Sequence, residues 1–190
     1  PALQVEVRSG VNAVLFDALR AGELDLVCGR MSDPQRMAGL SFELLCAEPL
    51  AMVVRPGHPL VGAASTSVQD AMAHPLVVYS EGTIPRHHTE SLLSGLGLRL
   101  PATHTQTLDL AVARALVLRS DAVWFTPAGA VRDELLSGTL ARLRVPTAGT
   151  EEPVGLVLRS GVELSTAQRT LAALLRGGAS AHAEALAGQG

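Results

Sequence analysis

The chain has 190 residues, is 47% hydrophobic, and sets 15 basic against 18 acidic side chains for a net charge of −3. That much apolar material over that length builds a well-cored globular protein, as one domain or two small lobes, and excludes disorder. All fifteen basic residues are arginines scattered without a stripe, which excludes a nucleic-acid grip by these residues alone, and no apolar run reaches the ~18 residues of a membrane helix.

In chain order, residues 3–7 (LQVEV) read as a strand, 12–21 as a helix and 24–28 as a second strand, which together predict a parallel βαβ unit. Ser9 and Gly10 turn the chain, Asn12 is placed to cap the helix, and Gly22 to end it in the left-handed region. Open α/β sheets bind ligands outside the carboxyl ends of their strands, and there stand Ser9-Gly10 and Gly29-Arg30-Met31-Ser32. Residues 40–48 and 50–55 are expected strands, with Pro49 marking an edge or a bend. A short capped helix at 67–73 is broken by His74-Pro75.

At Leu76 the pattern starts again: a strand at 76–79, the turn SEGT, a helix at 85–96, a strand at 99–105, a helix at 107–118, a strand at 122–125 and a helix at 128–136. Thr126 is the expected N-cap of that last helix, with Pro127 at its first position. Residues 153–158 (PVGLVL) form a late buried strand, and 165–176 a helix opened by a Ser-x-x-Gln capping box and stopped at Gly177-Gly178. The late strand has no unfilled place beside the restarted pattern. Residues 1–73 with 153–190 are therefore expected to form lobe I, and 74–152 lobe II.

Catalytic signatures are absent from the sequence: there is no GxSxG elbow, HExxH or P-loop, and Gly95 and Gly97 lack the third glycine of a dinucleotide fingerprint. His87 and His88 are adjacent, so their rings point to different faces of a helix and do not chelate. The expectation is a protein that is not an enzyme and needs no metal or cofactor. Cys28 and Cys46 sit in apolar runs without a CxxC and read as buried thiols of a reducing compartment. What recurs is a strand running into a polar turn before a helix, at Ser9-Gly10, Ser80-Glu81-Gly82-Thr83, Gln106-Thr107 and Phe125-Thr126. Each turn serves equally as a helix cap, but several together offer N–H groups, hydroxyls and partial positive charge to an anion, with Arg30 and Arg86 as sources of full charge.

The stretch VEVRSGVNAVLFDALRAGELDLVCGR, followed by AGLSFELLCAEPLAMVVRPGHPL, resembles the effector-binding domain of LysR-type transcriptional regulators, over essentially the whole chain. Its wording is nearest the branch of regulators of protocatechuate catabolism and of sugar-binding-protein genes. The resemblance implies an α/β fold of two Rossmann-like lobes joined by crossover strands, periplasmic-binding-protein-like of type 2. It implies a small-molecule inducer in the interlobe cleft, held by Ser9, Gly10, Arg30, Ser32, Ser80, Thr83, Phe125 and Thr126. It further implies a cytoplasmic homodimer or tetramer, away from the membrane, that meets promoter DNA through an N-terminal winged helix-turn-helix. No such element occurs in these residues, and Pro1 opens almost directly into a strand as a cut end would. A periplasmic solute-binding protein shares the two-lobed cleft; the lack of a signal peptide and the cysteine pattern favour the regulator. The helix at 107–118 is apolar around its circumference except at Asp109 and Arg114, and the first helix adds Val11, Leu15, Ala18 and Leu19. A second copy is the expected cover, with Ala111 and Ala115 allowing close approach across a two-fold axis.

Overall fold

The computed structural model describes residues 4–187, with side chains through residue 179. In chain order the elements are α1 (Asn12–Ala21), β1 (Val27–Arg30), β2 (Leu40–Glu48), β3 (Leu50–Val54), α2 (Val68–Met72), β4 (Leu76–Val78), α3 (Ile84–Gly95), β5 (Thr105–Gln106), α4 (Leu110–Arg119), β6 (Val123–Pro127), a 3-10 turn (Ala128–Val131), α5 (Arg132–Leu136), β7 (Ala141–Arg142), β8 (Glu152–Arg159) and α6 (Thr166–Ala187). They form two compact units, Pro1–Ala47 with Glu152–Gly190, and Glu48–Glu151. Residues 48–73, expected in the first lobe, lie in the second unit because every residue of β3 is buried there and pairs with both β6 and β7.

The first unit holds a three-stranded sheet in the order β1-β8-β2, with β1 antiparallel to β8 and Val27 opposite Val157. The parallel βαβ unit is therefore not formed. Leu3 lies outside the described residues, and residues 4–10 are exposed and outside any strand. Alternation alone does not make a strand without a partner edge, and here Glu6 and Arg8 pair with one another instead, at 2.8 Å.

Gly22 ends α1 as expected, at φ 78°, with its N–H directed at the carbonyls of Ala18 and Leu19. Asn12 does not cap: Val11 holds the cap position, and the Asn12 Nδ2 donates to the Arg30 carbonyl at 2.8 Å, binding the start of α1 to the end of β1. Phe16, Leu19, Val27, Leu40 and Val157 form the core. A Cβ at Gly155 would collide with the Glu43 carbonyl and the Phe42 ring, so only glycine fits where these strands approach.

The capping box at Ser165 and Gln168 is present in both directions, at 2.7 and 3.3 Å. Gly177-Gly178 does not stop α6, which continues to Ala187. Neither glycine takes the left-handed conformation, and the alanine-rich residues around them are strong helix formers. Nor are the thiols buried: Cys28 is exposed, because strand alternation turns it to the face opposite the core residue Val27, and Cys46 is half-buried near the end of β2.

The second unit holds a five-stranded sheet, β5-β4-β6-β3-β7, in which β4 runs parallel to β5 and β6 while β3 is antiparallel to β6 and β7. Met52, Val54, Leu76, Val78, Val123 and Phe125 from its central strands pack with Val68 and Leu93 from α2 and α3. Thr83 caps α3 by accepting the Arg86 N–H, and Asp109 caps α4 by accepting those of Ala111 and Val112. Thr126-Pro127 belongs to β6 rather than to a cap, since its pairing with Leu50 and Ala51 carries the strand two residues further than its apolar run suggests. The segment after β3 is clamped to the residues before β6. Arg55 donates to Asp121 from Nε at 3.0 Å and from Nη2 at 2.6 Å, and the His58 Nε2–H donates to the Asp121 carbonyl at 3.2 Å. Among the described residues no helix is long and apolar enough to cross a membrane, and no His, Cys, Asp and Glu side chains group to hold a metal.

Candidate functional site

Each unit carries a set of the polar groups named by the sequence, and of these Ser9-Gly10 precede α1 without following a strand. In the second unit the parallel neighbours β4 and β6 deliver Tyr79-Ser80 and Phe125-Thr126 at their carboxyl ends. The Tyr79 and Thr126 hydroxyls lie 3.3 Å apart and link those ends. Thr83 donates to the Ser80 carbonyl at 2.7 Å and accepts the Arg86 N–H at 3.3 Å, so its hydroxyl is committed to shaping the turn. The Ser80 hydroxyl is half-buried and engages no other described residue. Gly82, at φ 78°, lets the turn fold back in a conformation that a Cβ would strain.

Two expectations change here. Phe125 is fully buried in the core with Met52 and Leu93, so its ring is unavailable to a ligand. Thr126 is also fully buried, its hydroxyl held between Tyr79 and the Pro127 carbonyl. Arg86 enters as a structural anchor: only 5% exposed, it donates from Nε to Glu90 at 2.6 Å and from Nη1 to the Tyr79 carbonyl at 3.3 Å.

In the first unit Ser9 and Gly10 are exposed ahead of α1, and Ser32 is half-buried after β1. Arg30 does not stand as an isolated cation. Its Nη1 lies 2.8 Å from Glu152, and the side chains are 17% and 3% exposed. An opposing carboxylate buried to that degree cancels the net charge, so the pair offers an anion N–H donors rather than unbalanced positive charge. Asn12, Tyr79 and Glu152 are the partners that the sequence reading missed. The one available signal was an acidic residue opening the apolar strand EPVGLVL, since a carboxylate there must find a cation when buried.

The candidate contact residues divide likewise. Val11 and Leu15 are half-buried, but Leu19 is fully buried in the core and cannot reach a partner. On α4, Ala111 is exposed and Ala115 half-buried. Only Ala113 and Val117 of α4 face inward, while Leu110, Val112, Leu116 and Leu118 remain exposed, at 36 to 46%.

Residues 1–180 match the LysR substrate binding domain. The HTH-type transcriptional regulator YdcI of Escherichia coli is 41% identical over 164 residues, covering 86% of this chain and 52% of that protein. The HTH-type transcriptional regulator PcaQ of Agrobacterium fabrum is 37% identical over 161 residues, covering 85% and 52%. The chain thus spans about half the length of these curated relatives. Among solved structures, the effector-binding domain of QuiR in complex with shikimate aligns at TM-score 0.72 and 17% identity over 91% of this chain and 80% of that one. The regulatory domain of Synechocystis CcmR in complex with 2-PG aligns at 0.71 and 14% over 92% and 82%. At such identities the likeness shows the fold, which is the α/β, type 2 periplasmic-binding-protein-like fold of LysR effector-binding domains. The relatives named are transcriptional regulators, and on its own sequence and its fold the chain belongs to the LysR substrate-binding domain family.

Proposed function

We propose that this chain is the sensing domain of a cytoplasmic LysR-type transcriptional regulator, in which binding of a small anion controls promoter binding by a separate helix-turn-helix domain. The observation that carries this reading is the turn after β4, where Ser80 holds an uncommitted hydroxyl beside the amino end of the twelve-residue helix α3. The first N–H groups of a helix and its dipole favour an anion. The first unit carries a donor set of its own at Ser9, the Gly10 N–H, Ser32 and the Arg30–Glu152 pair. Because that pair carries no net charge, the donor set suits a hydroxylated carboxylate better than a highly charged anion. The ligands named for QuiR and CcmR, shikimate and 2-PG, support a small polar effector.

Calorimetric titration with shikimate, quinate and 3,4-dihydroxybenzoate tests the site. We expect saturable binding of at least one, weakened up to about tenfold in Ser80→Ala, in line with the roughly 0.5–1.5 kcal/mol of a neutral hydrogen bond. Thr126→Val keeps the shape and removes the Tyr79 link, and should weaken binding less. Affinity for the bound acid that is indifferent to Ser80→Ala, Ser9→Ala and Ser32→Ala would remove the assignment.

A further inference from the structure

A cavity of about 570 Å³ lies within the second unit, between one face of α3 and the segment 97–104 that follows it. This is the size of a small-molecule pocket, roughly 300–1,000 Å³. Arg86, Glu90 and Ser94 stand four residues apart on α3 and so share the face that lines it. Arg99, Leu100 and His104 line it from the returning segment.

The charges do not balance. Arg86 spends Nε on Glu90 and Nη1 on the Tyr79 carbonyl, while Nη2 makes no hydrogen bond among the described residues and lies 3.9 Å from the Glu81 carboxylate. His104 donates from Nδ1 to the Pro101 carbonyl at 2.7 Å, and its Nε2 lies 3.5 Å from the Arg86 Nη1. Arg99 makes no hydrogen bond or ion pair among the described residues and is exposed. Two guanidinium groups therefore line the cavity against one carboxylate, Glu90, which one of them already holds. Leu98, Leu100 and Pro101 add an apolar wall.

We propose that this groove is a second ligand site, separate from the hydroxyl set at Ser80, and that it takes a small monocarboxylate with an apolar body. The carboxylate accepts from Arg99 and from the Nη2 edge of Arg86, a charge-assisted geometry that arginine favours. The body rests on Leu98 and Leu100.

The test is a titration of the isotope-labelled 190-residue chain with 4-fluorophenylacetate, followed by backbone amide shifts. Saturable shifts are expected across residues 94–104, with the midpoint raised at least fivefold in Arg99→Ala and unchanged in Ser80→Ala. The neutral 4-fluorobenzyl alcohol should leave those amides in place. Arg86 is too deeply buried to substitute cleanly, so the exposed Arg99 carries the test. No shifts at 94–104, shifts there that Arg99→Ala does not weaken, or an equal response to the alcohol would each overturn the site. Shifts confined to residues 80–83 would overturn it too while leaving the Ser80 reading intact.

Discussion

His58 uses both ring nitrogens on the backbone: Nε2–H donates to Asp121, and Nδ1 accepts the Leu60 N–H at 3.1 Å. A second ring proton would turn Nδ1 against that N–H. Burial, more than the His74 ring 4.5 Å away, holds the His58 pKa below the ordinary imidazole value, although the Asp121 carbonyl opposes the shift. The folded chain therefore takes up this proton at lower pH than the unfolded chain does. Stability from His58 is fully present above about pH 6.5 and falls as the pH drops from there toward the folded pKa. We expect the melting temperature to fall between about pH 7.5 and 5.5, with a shallower fall in His58→Gln; equal slopes in the two proteins would contradict this. The clamp formed by Arg55 and His58 left no local trace in VRPGHPL, because it depends on Asp121, more than sixty positions away. Ser32 and Ser80 could be proposed from the sequence because small polar turns after strands are local signals, whereas Ser9 was proposed after a strand that does not form. Phe125 and Leu19 were misread for the opposite reason: which face of an element points inward is decided by the partner it packs on.

At the scale of elements, α1 and β2 have the boundaries that their spacing predicts, since a left-handed glycine and a bounded apolar run are local signals. The supposed strand at 3–7 failed for want of a partner edge, and β7, with only two residues, is too short to leave a pattern. In α6 a punctuation rule was overridden. Gly177 and Gly178 sit exposed inside the helix, where each costs roughly 0.5–1 kcal/mol relative to alanine, and a Cβ at either meets nothing within 4 Å. Gly178→Ala should therefore stabilise the chain by about that amount, seen as a rise of a few degrees in the melting temperature. A fall would mean that the helix does not run through this point in solution.

For the molecule as a whole, the exposed face of α4 demands a cover, and we propose a second copy of the chain, in contact through Ala111, Ala115, Val11 and Leu15. A stable pair needs roughly 800 Å² per subunit, more than one short helix presents, so α1 must take part. Sedimentation at micromolar concentration is expected to show a dimer that Val112→Arg dissociates without loss of helicity, Val112 being 46% exposed. A monomeric parent, or a dimer indifferent to Val112→Arg and Leu116→Arg, would reject the contact. The clip between the Leu50 N–H and the Thr150 hydroxyl, at 3.0 Å, joins residues close to the two ends of the second unit, Glu48–Glu151. A segment whose ends already meet costs its host almost no loop-closure entropy and does not depend on the host to bring them together. Residues 48–151 are in effect a guest domain, and expressed alone they should fold with a single cooperative transition. Their removal, with a short glycine linker in their place, should leave a remainder able to fold through the β1–β8 pairing. Evolution can exchange such a guest without redesigning its host.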